Sequence, residues 1–136
     1  MKFSIWVPIL AVILLPGCSS RPATHSDISV DEAEKIIASK PDLVIVDVRE
    51  PSEFTGPAGH IPNAINYPWS SGVLKQNYTE LDNSKEILLV CRSGRRSQAA
   101  AKFLTEKGYS KIYNMLGGTN QWIKDAKKTE QAKNDQ

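Results

Sequence analysis

Cysteine and histidine are scarce in this sequence, with two of each among 136 residues. That scarcity excludes a disulfide-stapled scaffold and any Cys/His cluster with metal-ligand spacing, so neither a metal nor another cofactor is expected. Charge of one sign is lacking too. The 17 basic and 15 acidic side chains leave a formal charge of +2, which argues against nucleic acid as a partner and against a broadly cationic face. There is no internal repeat. Apolar runs long enough to matter for targeting are confined to one place, the first residues of the chain.

That run follows Met1 and Lys2 and extends over residues 3–15, interrupted only by Ser4 and Pro8. It has the length of a signal-peptide core, whereas a spanning helix needs roughly 20 apolar residues. Leu15-Pro16-Gly17-Cys18 resembles the bacterial lipobox, in which the cysteine receives a lipid and becomes the new N-terminus. Residues 1–17 are therefore expected to be removed, and Cys18 to hold the protein on a membrane, facing the periplasm or the exterior. A plain secreted protein is the alternative. Ser19 resembles the outer-membrane sorting pattern of a Gram-negative cell. Residues 18–27 read as a small, polar tether and 127–136 as a disordered polar tail. The remainder, 28–126, is the size of one domain, and a monomer is expected.

Inside that domain helix and strand signals alternate. Ser29 followed by Glu32 reads as a capping box, with Ala33, Ile36 and Ile37 on one apolar face ending before Pro41. Residues 43–48 and 87–90 are continuous, largely β-branched apolar runs, the pattern of strands buried on both faces of a parallel sheet. A helix is predicted over 98–107, stopped by Gly108, a third strand over 111–116, and a last helix over 119–126 with Trp122 and Ile123 facing inward. Strands separated by helices imply an α/β fold with a covered parallel sheet.

The chemistry concentrates in Cys91-Arg92-Ser93-Gly94-Arg95-Arg96, between a buried strand and a helix expected to begin near Ser97. Ligands of open α/β sheets bind at the carboxyl ends of strands, where a helix start presents unpaired N–H groups. Gly94 lets those groups curl around a sulfur, and Arg92, Arg95 and Arg96 add positive charge. Together these features should enrich the Cys91 thiolate. If Cys18 is acylated, Cys91 has no partner for a disulfide. The plain alternative is an inert buried thiol beside a solvated arginine face.

Three ordered motifs resemble one family. Asp47-Val48-Arg49-Glu50-Pro51-Ser52-Glu53-Phe54 with Gly59-His60-Ile61-Pro62-Asn63-Ala64-Ile65-Asn66 is similar to the upstream signature of rhodanese domains. The 91–96 stretch is similar to their active-site loop, and Gly117-Gly118-Thr119-Asn120-Gln121-Trp122 to their C-terminal signature. The resemblance implies a three-layer domain with a central parallel five-stranded sheet flanked by helices. It also implies a sulfurtransferase in which Cys91 takes a sulfane sulfur from a donor such as thiosulfate, holds it as a persulfide and passes it to a thiol or cyanide, with Arg92, Ser93, Gly94, Arg95 and Arg96 binding the substrate. Related phosphatases place five residues between cysteine and arginine, and here that count lands on Ser97. The shorter loop suits a sulfur atom better than a phosphate. A non-catalytic docking domain, or a persulfide carrier tied to one partner, remains a reading from another class.

Other conspicuous residues take structural readings. His60 is expected to be a hydrogen-bonded scaffold residue rather than a base, and Trp122 a core residue rather than a stacking platform. Asp47 and Arg49 either form a buried ion pair or leave Arg49 to face the Cys91 pocket, and the pair is favoured.

Overall fold

A computed structural model describes residues 24–127, 129 and 130. The expected signal segment 1–17, the lipidation candidate Cys18 and tail residues 131–136 lie outside the described residues. Five strands form one sheet: β1 (Ser26–Ile28), β2 (Val44–Asp47), β3 (Ile65–Asn66), β4 (Ile87–Val90) and β5 (Ile112–Met115). Their spatial order is β1-β5-β4-β2-β3, and every neighbouring pair is parallel. Helices α1 (Val30–Ser39), α2 (Pro51–Phe54), α3 (Val73–Asn77), α4 (Arg95–Glu106) and α5 (Gly118–Lys124) complete the layers, with a 3-10 turn at Tyr78–Glu80.

The central strand β4 is buried on both sides, as its four apolar residues require. Ile87 and Leu89 join Leu104, Ala100 and Ala101 of α4 and Leu74 of α3 in one core. Leu88 and Val90 join Ala33 of α1, Met115 and Trp122 in the other. Trp122 is thus a core residue, whereas Ile123, expected to face inward with it, is exposed. The Ser29 capping box forms as the spacing implies: Glu32 N–H donates to Ser29 Oγ at 3.2 Å, and Ser29 N–H to Glu32 Oε2 at 2.8 Å.

Two boundaries differ from the sequence reading. Ser26 and Asp27, read as the end of the tether, belong to β1, where Asp27 lies opposite Asn114. Such a short polar segment carries no hydrophobic periodicity, and backbone pairing along β5 is what orders it. The chain after α5 also docks. Lys127 Nζ meets Glu34 at 2.7 Å and Asp31 at 3.0 Å, and Glu130 pairs with His60 through backbone bonds of 2.8 and 2.9 Å.

At the amino-terminal end of the sheet Lys40, Glu86 and Tyr113 satisfy one another. Lys40 Nζ lies 2.6 Å from Glu86 Oε1, which also accepts from the Tyr113 hydroxyl at 2.8 Å.

Candidate active site

Cys91 directly follows β4, at the carboxyl edge of the sheet. The chain then turns through Arg92 and Ser93 to Gly94, which adopts φ 94° and begins α4. Most side chains resist that left-handed angle, and a Cβ on Gly94 would press to 3.3 Å from the Met115 carbonyl oxygen. The helix starts at Arg95, two residues before the expected Ser97. Here a left-handed glycine rather than a serine side chain terminates the helix, so Arg95 and Arg96 sit in its first turn.

This geometry folds donors around the sulfur. The Gly94 N–H points at Cys91 Sγ from 3.1 Å, and Ser97 Oγ lies 3.4 Å from it. Cys91 is only 1% exposed. Burial is the largest single influence on its pKa and raises it, but hydrogen bonds from the Ser97 side chain and from the backbones of Ser97, Ser93 and Gly94 together outweigh it, holding the thiol pKa below its ordinary value. The result is a buried sulfur whose surroundings favour the thiolate more than those of an ordinary cysteine do.

From behind, the loop is held by α5. The N–H groups of Thr119 and Asn120 bind the carbonyls of Cys91 and Arg92 at 2.8 and 3.0 Å. Gly118 makes that approach possible, since a Cβ there would overlap the Cys91 carbonyl oxygen.

The arginines divide sharply. Arg96 forms a two-pronged pair with Glu53 of α2, at 2.6 and 2.8 Å. Its guanidinium holds the Glu53 carboxyl down at about 2. Arg92 and Arg95 are exposed and carry no ion pair among the described residues. With Ser93, Arg96, Glu53, Trp69 and Ala99 they line an open cavity of about 530 Å³ over the loop. Lys75 Nζ sits 4.5 Å above the Trp69 ring, adding positive charge to the same mouth.

Arg49 is elsewhere engaged. It is 3% exposed and clamps Asp47 through Nε at 2.9 Å and Nη2 at 2.7 Å, with Nη2 also donating to the Gly59 carbonyl at 3.0 Å. The pair is structural in form, although Arg49 does border a second, smaller cleft that shares Arg92 and Glu53 with the first. His60 is likewise embedded: its ring stacks on Phe54 at 3.7 Å, and Nδ1 donates to the Phe54 carbonyl at 3.1 Å.

Thus the structure brings Arg92, Ser93, Arg95 and Arg96 to one mouth, with Arg96 braced by Glu53, and keeps Cys91 and Gly94 buried beneath it. Sequence reasoning did not single out Ser97, Asn114, Glu53 or Trp69. Asn114 left a signal, a polar residue inside the apolar strand Ile112–Met115. The others depend on pairings between distant segments.

The rhodanese-like domain family model matches residues 29–125. The chain belongs to the rhodanese-like family. It is similar to YrkF of Bacillus subtilis, named a putative sulfur carrier protein, with 32% identity over 104 residues, 76% of this chain and 54% of that one. It is also 35% identical over 86 residues to the thiosulfate sulfurtransferase GlpE of Pseudoalteromonas translucida, spanning 63% of this chain and 78% of the relative. Among solved structures, a rhodanese-related protein of Thermoplasma volcanium superposes with a TM-score of 0.68 at 30% identity, covering 78% of this chain and 98% of that one. This rhodanese-like chain spans little more than half the length of YrkF and of another Bacillus subtilis relative, YqhL. The five-stranded parallel sheet with flanking helices is the fold that the three sequence motifs implied.

Proposed function

We propose that this protein is a sulfurtransferase that carries a sulfane sulfur on Cys91. The observation that carries this reading is the buried Sγ cradled by Gly94 N–H beneath a mouth holding two unpaired arginines. In the first half-reaction the Cys91 thiolate attacks the outer sulfur of thiosulfate. A new S–S bond forms to Sγ, the old one breaks, and sulfite leaves with the electron pair. In the second, a thiol or cyanide attacks the outer sulfur of the persulfide and the Sγ thiolate departs. Arg92 and Arg95 hold the dianion, Ser93 and Gly94 shape the cradle, and Arg96 braces it through Glu53. The loop argues against a phosphatase, because the arginine nearest the expected phosphate ligand is committed to Glu53.

The test is mass spectrometry of the intact protein after thiosulfate, which should show one added sulfur that is lost on adding cyanide. Cys91→Ser should take up none and turn over at background. Turnover undiminished in that variant would sink the assignment.

The location we propose is the cell envelope, on a lipid attached to Cys18. The apolar core of residues 3–15 and the lipobox-like Leu15-Pro16-Gly17-Cys18 support it. Several acyl chains anchor a protein far better than one, so the wild type should fractionate with membranes and Cys18→Ala should not. A wild type found wholly in the soluble fraction would contradict the anchor.

A further inference from the structure

A chain of hydrogen bonds leaves the Cys91 sulfur on the side away from the mouth. Ser97 Oγ lies 3.4 Å from Cys91 Sγ and 2.6 Å from Asn114 Oδ1, while Asn114 Nδ2 lies 2.8 Å from Asp27 Oδ1. Ser97 and Asn114 are wholly buried, whereas Asp27, on the edge strand β1, reaches the surface. The directions of these bonds follow from the groups. A carboxylate only accepts, so Asp27 must face the Asn114 amide nitrogen, which leaves the amide oxygen toward Ser97. A hydroxyl has one proton. Ser97 can give it to Asn114 or to Sγ, and the distances put it on Asn114.

We propose that Asn114, oriented by Asp27, is a positioning residue that competes with the Cys91 thiolate for the single hydroxyl proton of Ser97. The role rests on the reading of Cys91 as a sulfur carrier. While the persulfide is loaded, Sγ is bonded to a second sulfur, its charge lies on the outer atom, and Ser97 stays turned to Asn114. When the acceptor's lone pair bonds the outer sulfur, the S–S electron pair returns to Sγ. The Ser97 O–H then swings from Asn114 to the new thiolate. Asn114 thereby moderates the leaving group, keeping Cys91 a strong enough nucleophile for the next donor, because a thiol of lower pKa leaves faster and attacks more slowly.

Other charged groups around Cys91 sit on different elements. Arg96 of α4 is tied to Glu53 of α2, with Glu50 close by, and His25 Nε2 approaches Asp27 at 3.7 Å. Replacing Asn114 leaves the Arg96–Glu53 pair untouched and takes one donor from Asp27 Oδ1, the oxygen that His25 also approaches.

The experiment measures the rate of Cys91 alkylation by iodoacetamide against pH in the full-length protein with Cys18→Ala as background. Asn114→Leu keeps the number and branching of side-chain heavy atoms and removes the acceptor, so the midpoint should fall by about half to one pH unit, the worth of one neutral hydrogen bond. Ser97→Ala should move it the opposite way, and Ser97→Thr should restore it. Sulfur loading from thiosulfate above the midpoint should slow about two- to threefold in Asn114→Leu, while discharge to a thiol speeds up by a similar factor. Asp27→Ala, a surface change that keeps the core intact, should give a smaller fall and serves if Asn114→Leu does not fold. A purely structural Asn114 would not produce opposite signs at residues 97 and 114. Midpoints that move the same way in both variants, or that stay fixed in Asn114→Leu and Asp27→Ala, overturn the proposal. Opposite shifts in a protein that takes no sulfur from thiosulfate would uphold the competition for the proton and remove the sulfurtransferase reading instead.

Discussion

The exits of β2 and β4 lie side by side at the carboxyl edge of the sheet, and each delivers an arginine, yet the two corners are built for opposite ends. At the exit of β2, Arg49 and Asp47 neutralise each other out of water. Asn66 Nδ2 ties the same corner by donating to the carbonyls of Asp47 and Arg49 at 3.0 and 2.9 Å. The buried pair and both carbonyls have their partners there, while Oε1 of the following Glu50 is buried without one among the described residues. At the exit of β4, Arg92 and Arg95 stand exposed with no ion pair among the described residues, over a buried sulfur that is surrounded by donors. The difference teaches that an arginine in a signature motif has its role set by the partners around it: satisfied and buried, it holds shape; unsatisfied and exposed, it waits for an anion.

The comparison breaks most severely at the satisfied corner. Asp47→Ala strands the Arg49 charge in the interior, and breaking a buried pair from one side typically costs about 3–5 kcal/mol. Chemical denaturation should show a loss of that size. A loss well under 1 kcal/mol would mean that water reaches Arg49 and that the two corners differ less than their burial implies.

At the unsatisfied corner the expected effect is on substrate rather than on stability. Arg92→Ala should lower kcat/KM for thiosulfate by roughly tenfold, and Arg92→Ala with Arg95→Ala by up to about a hundredfold, since a charge-assisted contact is worth ~1.5–3 kcal/mol. The melting temperature should hardly move. Inert salt should weaken capture in the wild type, because exposed charges are screened over about 10 Å at 0.1 M. If the double variant keeps wild-type thiosulfate kinetics, a neutral or protein-bound donor becomes the better hypothesis.

Arg96 stands between these extremes, half-buried and braced by Glu53, and gives the smallest effect. Glu53 has a folded-state value of about 2 against an ordinary 4.5. Its contribution to stability is therefore complete above about pH 4.5 and disappears as pH falls toward 2. Glu53→Gln should cost on the order of 1 kcal/mol at neutral pH, given the exposure of the pair. Melting curves of wild type and variant should converge near pH 2, and a gap that persists there would assign the effect to packing. The rate of Cys91 alkylation should rise with pH through a midpoint below that of an ordinary cysteine, following the direction of its own shift.

Much of this architecture was legible in the residues. The apolar runs that became β2 and β4, the Ser29 cap and the inward Trp122 all follow from period and capping rules, because in each case the deciding interactions are local or the burial is complete. Strands β1 and β3 were not legible, since segments of two or three residues have no periodicity and exist only because a neighbour pairs with them. The loop residues were visible through their cysteine, glycine and arginines. The division of labour among those arginines was not, because it turns on Glu53, 43 residues from Arg96. The start of α4 falls two residues before the expected Ser97 for a similar reason: the glycine angle that begins the helix is a property of the folded loop.

The parallel sheet has a practical side for whoever handles this protein. Its amino-terminal end, where Lys40, Glu86 and Tyr113 satisfy one another, is separated from the sulfur by the length of β4, about 13 Å for four residues. The exposed turn at Pro41 and Asp42 belongs to that end. A fluorophore or an immobilising handle grafted into this turn would leave the mouth unobstructed, turning a chemically silent face into the natural place for a reporter.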